Sequence, residues 1–139
     1  MKYRFADLTA ECCTLAEYDH HAAYGLLDDR GRPIVVTFVH RVGFGIDAIS
    51  VPGVRARFGG GARWLRICGA ETDERAFRMG LLLSCAMSYK SAGLNYAIGG
   101  AKTVVFGHNI PGYTEVSGVR TWPQDVREEI WEAFARLVL

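Results

Sequence analysis

Apolar positions recur at helical spacing in three parts of this chain and alternate, or run together, at strand-like spacing in four others. Residues 7–18 read as a short amphipathic helix with Leu8, Cys12, Leu15 and Ala16 on one side. Residues 22–27 and 34–41 read as strands joined by the turn-rich Asp28-Asp29-Arg30-Gly31-Arg32-Pro33. Residues 34–39 are β-branched or aromatic almost throughout, which predicts a strand covered on both faces. Residues 42–70 are rich in glycine and include Pro52, so an irregular segment is expected, with a short strand around 46–51. Thr72 is a good N-cap, and Asp73 and Glu74 put negative charge in the first turn of the helix it starts. That helix is apolar almost all round from 76 to 89, so it should be covered on several sides. A glycine-rich loop over 93–101, a short buried strand over 103–106 and a surface excursion over 107–120 come next. In the last helix Thr121 can cap, Pro123 suits the first turn and Gln124 completes a capping box. Its apolar stripe is Val126, Ile130, Phe134, Leu137 and Val138. Paired strands with covering helices predict one α/β domain over 1–139, a single three-layer sandwich with a mixed sheet flanked by helices.

Charge narrows the function classes. Sixteen Lys+Arg against fifteen Asp+Glu leave a formal charge of +1, which gives no bulk electrostatic case for nucleic acid or an anionic membrane. The longest uncharged apolar run, 79–89, is too short to span a bilayer and reads as a buried helix. The opening Met1-Lys2-Tyr3-Arg4-Phe5-Ala6-Asp7 lacks the apolar stretch of a secretory signal, so a cytoplasmic location is expected. Cys12, Cys13, Cys68 and Cys85 form no CxxC pair, and reduced thiols packed as small apolar groups are expected. Only His20–His21, near Asp19, clusters metal-ligand types; adjacent histidines point in different directions, and no metal site is expected.

The division of positive charge says more. Thirteen of the cations are arginine and three are lysine: Lys2, Lys90 and Lys102. Lysine differs chemically because its compact ammonium can give up a proton when buried, whereas guanidinium cannot. Lys90 and Lys102 stand twelve residues apart in a stretch with almost no other charge, which invites a chemical role as readily as codon drift.

Two nucleotide motifs fail. Gly43-Phe44-Gly45-Ile46-Asp47-Ala48 fits GxGxxA, but Pro52-Gly53 arrives too soon for the helix that would face a pyrophosphate. Gly99-Gly100-Ala101-Lys102-Thr103 differs from a phosphate loop because alanine separates glycine from lysine and a strand follows. Arg55, Arg57, Arg63 and Arg66 form a basic cluster, read as a solvated loop rather than a contact for an anionic partner.

Three segments taken together resemble the glutamate/leucine/phenylalanine/valine dehydrogenase family, specifically its N-terminal substrate-binding and dimerisation domain. They are Gly60-Gly61-Ala62-Arg63, Met87-Ser88-Tyr89-Lys90 and Gly99-Gly100-Ala101-Lys102. The family pattern GG-[AL]-R, a long helix, M-[ST]-[YW]-K and GG-[AG]-K is matched in order over roughly residues 58–107. The resemblance implies an amino-acid dehydrogenase N-terminal-domain-like fold. It gives Lys90 the substrate α-carboxylate and Lys102 the catalytic work on the α-carbon amine or carbonyl. Gly60, Gly61, Met87, Gly99 and Gly100 would line the substrate, the last two glycines allowing it close to the backbone. Glutamate-specific members carry a lysine just before the first glycine pair; Gly59 stands there, which disfavours a glutamate-like substrate. The chain also departs from the family in lacking residues for a Rossmann-type NAD(P) domain and in lacking the family's catalytic aspartate. No cofactor is therefore expected, and hydride transfer by this polypeptide alone should be impossible.

Three functions remain open on these terms. The first is a stand-alone dehydrogenase-like domain redirected to non-redox chemistry on an amino-acid-derived substrate, as in biosynthetic ring closure or elimination. Lys90 would hold the carboxylate, and Lys102, its pKa lowered by burial and a neighbouring cation, would serve as base. Glu115, a substrate group or a partner would replace the missing aspartate. The second is the substrate half of a split NAD-dependent dehydrogenase. The third is a non-catalytic dimerising or scaffold subunit. Expected partners are an amino-acid-like small molecule and a second subunit, in a homo-oligomer or in a heteromer with a related or cofactor-domain chain; a carrier protein is a further candidate. Tyr3, Phe5, Trp122 and Trp131 are the residues expected on a former dimer or interdomain face.

Overall fold

The computed structural model describes residues 2–13, 21–40, 58–59, 65–68, 72–93 and 99–138. Strand β1 (Arg4–Asp7) leads through a short helix α1 (Thr9–Cys13) to β2 (His21–Leu27) and β3 (Pro33–His40). Two short strands, β4 (Phe58–Gly59) and β5 (Leu65–Cys68), precede the long helix α2 (Asp73–Gly93). Strand β6 (Gly99–Phe106) follows, then a 3-10 turn, Gly107–Asn109. A hairpin of β7 (Thr114–Val116) and β8 (Val119–Thr121) leads to the last helix, α3 (Gln124–Val138). The class is α/β with a mixed sheet: β1, β2, β3 and β6 are antiparallel neighbours in that order, and β4 and β5 pair in parallel with the far side of β6.

The β2–β3 connection is wound around one carboxylate. Asp28 Oδ1 accepts the backbone N–H of Arg30 at 3.0 Å and of Arg32 at 2.8 Å, while Oδ2 takes the Arg32 guanidinium at 2.9 Å. Gly31 sits at φ +77°, where a side chain would be strained. Burial by itself would raise the Asp28 carboxyl, but these hydrogen bonds outweigh it and hold the group below the ordinary aspartate value.

Two apolar clusters lie on opposite faces of the sheet. Leu8 just ahead of α1, Cys12 within it, Ala76, Phe77 and Leu81 of α2, and Ala23, Leu27, Val36, Phe38, Val104 and Phe106 of the sheet make one. Tyr3, Leu26, Ile34, Val35, Val105, Ile110, Trp122, Ile130 and Phe134 make the other, against α3. Alternation along β6 feeds both, since Val104 and Phe106 point one way and Val105 the other. The helix–strand contact is tight: a Cβ on Gly80 of α2 would fall on the Phe38 ring, whose edge meets Phe77 at a 5.5 Å centroid distance.

Several elements differ from the sequence reading. Only Thr9–Cys13 of the first helix is described, and the strand expected around 46–51 lies outside the described residues. The glycine-rich 42–70 region contains β4 and β5, and the loop expected over 93–101 gives up Gly99, Gly100 and Ala101 to β6. Thr72 does cap α2, accepting the Arg75 N–H at 3.3 Å. The capping box at α3 does not form: Thr121 is drawn into β8, and the Gln124 amide instead donates to Glu128 one turn on, at 2.9 Å. The Val126, Ile130 and Phe134 stripe does face the core. Tyr3 and Trp122 are buried and Trp131 packs against the same cluster, so of the four residues expected on an outer face only Phe5 is exposed. Conversely α2 is not covered all round, because Leu82 and Tyr89 are 61% and 59% exposed. Among the described residues, no helix is long and apolar enough to cross a membrane.

Candidate functional site

The site is built where β6 begins. A Cβ on Gly100 would fall on the Ser84 carbonyl oxygen and come within 2.5 Å of the Ser88 backbone nitrogen, so only glycine lets this strand lie against α2. The contact is held by a hydrogen bond: the Gly100 N–H donates to Ser88 Oγ at 2.7 Å. Across the other edge, Gly59 of β4 is in register with Gly100, and Phe58 with Gly99. The structure thus brings together the middle of the second motif and the glycines of the third, with the residue just before the first motif beside them. Gly60, Gly61 and Arg63 themselves lie outside the described residues.

Lys102 lies two residues along β6, opposite Phe38 of β3, on the face that also carries Gly100, Val104 and Phe106. It is half-buried. Met87 is half-buried as well, in the second turn from the end of α2. Lys90 is not brought to the sheet: two residues past the inward-facing Ser88, it lies about 200° round the helix and is exposed in the last turn.

Two histidines extend the site, and the sequence reading did not include them. His21 and His40 face each other as a cross-strand pair with ring centroids 4.7 Å apart, and His40 Nδ1 lies 2.7 Å from Ser88 Oγ. A line of contacts therefore runs from β2 through β3 to α2 and into the Gly100 backbone. The hairpin itself was legible, but the pairing of His21 with His40 depends on a register shift between Leu26 and Leu27 that no local signal marks. Ser88 is fully buried, so this serine–histidine contact cannot present a nucleophile to a substrate. Its oxygen already accepts the Gly100 N–H, and its role is to fix the backbone in front of Lys102.

Glu115, a candidate replacement for the missing aspartate, is placed elsewhere. It sits on β7, beyond the far end of β6, where it accepts the Tyr113 hydroxyl at 3.3 Å and faces Arg120 at 3.6 Å. Seven residues of strand separate Gly100 from Gly107, on which Tyr113 stacks, a span of about 23 Å. Cys12 and Cys85 are not in disulfides, and burial pushes the Cys85 thiol up. Among the described residues no three metal-ligand side chains converge.

The arrangement seats the start of β6 against α2 and sets an amine two residues along the same face. Compared with protein-family models, with curated proteins and with solved structures, the chain finds no match.

Proposed function

We propose that this chain is an amino-acid dehydrogenase-like domain, a three-layer sandwich, turned to non-redox chemistry on an amino-acid-derived substrate. Lys102 acts as the base at the substrate's amine or α-carbon, beside the start of β6. Lys90, expected at the carboxylate, is turned away from the sheet on α2 and takes no part in this reading. The observation that carries this reading is the contact between two separately matched motifs at the start of β6. Ser88 of Met87-Ser88-Tyr89-Lys90 bonds to Gly100 of Gly99-Gly100-Ala101-Lys102, and Lys102 follows on the same face. The chemistry is a proton transfer of the kind that precedes ring closure or elimination, and neither needs a nucleotide. We place the protein in the cytoplasm, working with a second subunit that supplies the missing acid; a homo-oligomer, a related chain or a carrier protein are the subunits in view.

The test uses the full chain with a panel of α-amino and α-keto acids in D2O. At least one should shift the Gly99, Gly100 and Ala101 amides and lose its Cα–H signal by exchange. Lys102→Met should abolish the exchange and keep the binding; Lys90→Met, on the far face of α2, should leave both unchanged. Absence of binding by every member, or unchanged exchange in Lys102→Met, overturns the reading. A second reading, half of a split dehydrogenase, is favoured by the exposed Leu82 and Tyr89 on α2, which leave a face for another chain. It requires NADH-dependent absorbance change once a Rossmann-domain partner is added.

A further inference from the structure

At the end of the sheet away from Gly100, a cavity of about 300 Å³ lies between the N-terminal residues, the β2–β3 turn and the segment after β6. That size is at the small end of the range for small-molecule pockets. Tyr3 and Ile34, core residues of the cluster under α3, line it together with Pro111.

Two buried polar groups on this lining have hydrogen-bonding capacity left over. Tyr3 is 9% exposed, and its hydroxyl makes no hydrogen bond among the described residues. Burial above all pushes that hydroxyl up, and Glu129, Asp28 and Asp29 add to the effect against Lys2. It therefore stays protonated and can donate, and the two turn aspartates place it toward the cavity they line. Asn109 is 8% exposed and uses both amide hydrogens, on the Pro33 carbonyl and on Asp73 Oδ1, each at 2.8 Å. Its own Oδ1 accepts nothing among the described residues. Neither oxygen is walled in by protein, so both open on the space that their residues line.

The charged groups around them are mostly donors. Arg32 is held by Asp28 through Nε, and its terminal nitrogens bind no other group among the described residues. Arg30 stands exposed in the turn, with no ion pair among the described residues. With Lys2 they set three cations on the lining against two carboxylates, and both oxygens of Asp28 are already occupied. A guanidinium presents its N–H groups in a fixed fork that matches a carboxylate. The lining therefore offers more donors than acceptors.

We propose that this cavity binds a small hydroxycarboxylate monoanion. Arg30, Arg32 and the Tyr3 hydroxyl hold the carboxylate, and Asn109 Oδ1 accepts the ligand's hydroxyl. A carboxylate without the hydroxyl leaves Asn109 Oδ1 unsatisfied, and a diol gives the guanidinium groups no charge to meet. Ile34 stands four residues along β3 from Phe38, the cross-strand neighbour of Lys102, a span of about 13 Å. The site is thus separate from the one at Lys102 and does not rest on its chemistry.

The experiment titrates the full chain with 2-hydroxybutyrate by NMR, in parallel with butyrate, 1,2-butanediol and inorganic phosphate. The hydroxy acid should bind saturably and move the Ile34 methyl, Asn109 side-chain amide and Arg32 Nε–H signals, leaving the Gly100 amide in place. Each of the other three should bind at least about fivefold more weakly. Tyr3→Phe removes a hydroxyl that bonds to nothing, so its urea midpoint should match the parent. It should weaken 2-hydroxybutyrate and butyrate alike, by about tenfold, and keep the preference between them. Arg30→Gln, at an exposed position, should weaken both by a similar factor. No saturable binding, shifts centred on Gly100, equal binding of any of the three controls, or an unaltered affinity in either variant would each overturn the proposal.

Discussion

Replacing Ser88 by alanine removes one oxygen that serves two other elements of the fold. The Gly100 N–H, bonded to it at 2.7 Å, would be left buried without an acceptor, and the His40 ring would lose its 2.7 Å partner. An unsatisfied buried donor costs about 1–3 kcal/mol. The gain in helix propensity from serine to alanine, about 0.5 kcal/mol, offsets part of it. The net cost is about 2 kcal/mol, or about 6–8 °C in Tm for a domain of this size. Ser84, one turn earlier and equally buried, is the internal control. Its hydroxyl donates only to the Leu81 carbonyl of its own helix, at 2.9 Å. Ser84→Ala should therefore change stability by no more than about 0.5 kcal/mol. Urea unfolding of the two variants beside the parent measures the difference, and amide exchange at Gly100 should quicken only in Ser88→Ala. If the two serines cost the same, or if Gly100 exchange is unmoved, the clamp between α2 and β6 does not work as described.

The other predictions concern backbone and charge. Asp28→Asn should cost about 1.5–3 kcal/mol at neutral pH, because it removes a charge-assisted set of hydrogen bonds. The folded-state Asp28 carboxyl lies below its ordinary value of 3.8, so its stabilisation is complete above that value and is lost as pH falls through the lower folded value. The gap between parent and variant should therefore narrow in urea melts as pH falls below 3.8, and a constant gap across the acid range would refute the assignment. Gly80→Ala drives a Cβ into the fully buried Phe38 ring, whose Cζ would lie 2.7 Å away, and should lower stability by about 1–2 kcal/mol despite better helix propensity. Gly93→Ala, on the same helix with nothing within 4 Å, should be neutral or stabilising by about 0.5 kcal/mol in the same melts.

What could be read from the sequence was what period and turn chemistry carry. The β2–β3 hairpin, the Thr72 start of α2 and the Val126-Ile130-Phe134 stripe of α3 follow from local signals that the tertiary structure keeps. The misses share a cause. Gly99 and Gly100 read as loop because glycine usually marks a turn, whereas here it marks the closest approach of strand to helix. Strands β4 and β5, of two and four residues, are too short for a period to register and exist through pairing with β6. Trp122 and Tyr3 read as surface aromatics, but α3 folds back onto the sheet and covers them. Of the site, the lysines and glycines were legible as motifs. The His21–His40–Ser88 line was not, since it appears only when hairpin register and helix phase are combined.

Strand register in β6 is an all-or-none quantity, and the close seat of Gly100 on α2 sets it. A slip of one residue would press Gly99 or Ala101 toward Ser84, bring Thr103 to the α2 face and drive Lys102 into the apolar layer under α3. A slip of two would restore the facing but put Lys102 or the Tyr-facing end of the strand about 6.6 Å from its present place. Length changes in this stretch of the gene are therefore not graded in effect. An insertion between α2 and β6 is harmless if the connection absorbs it and ruinous if the strand does. Natural variants that keep the lysine should vary in loop length before Gly99 while holding the three-residue step from Gly99 to Lys102 constant.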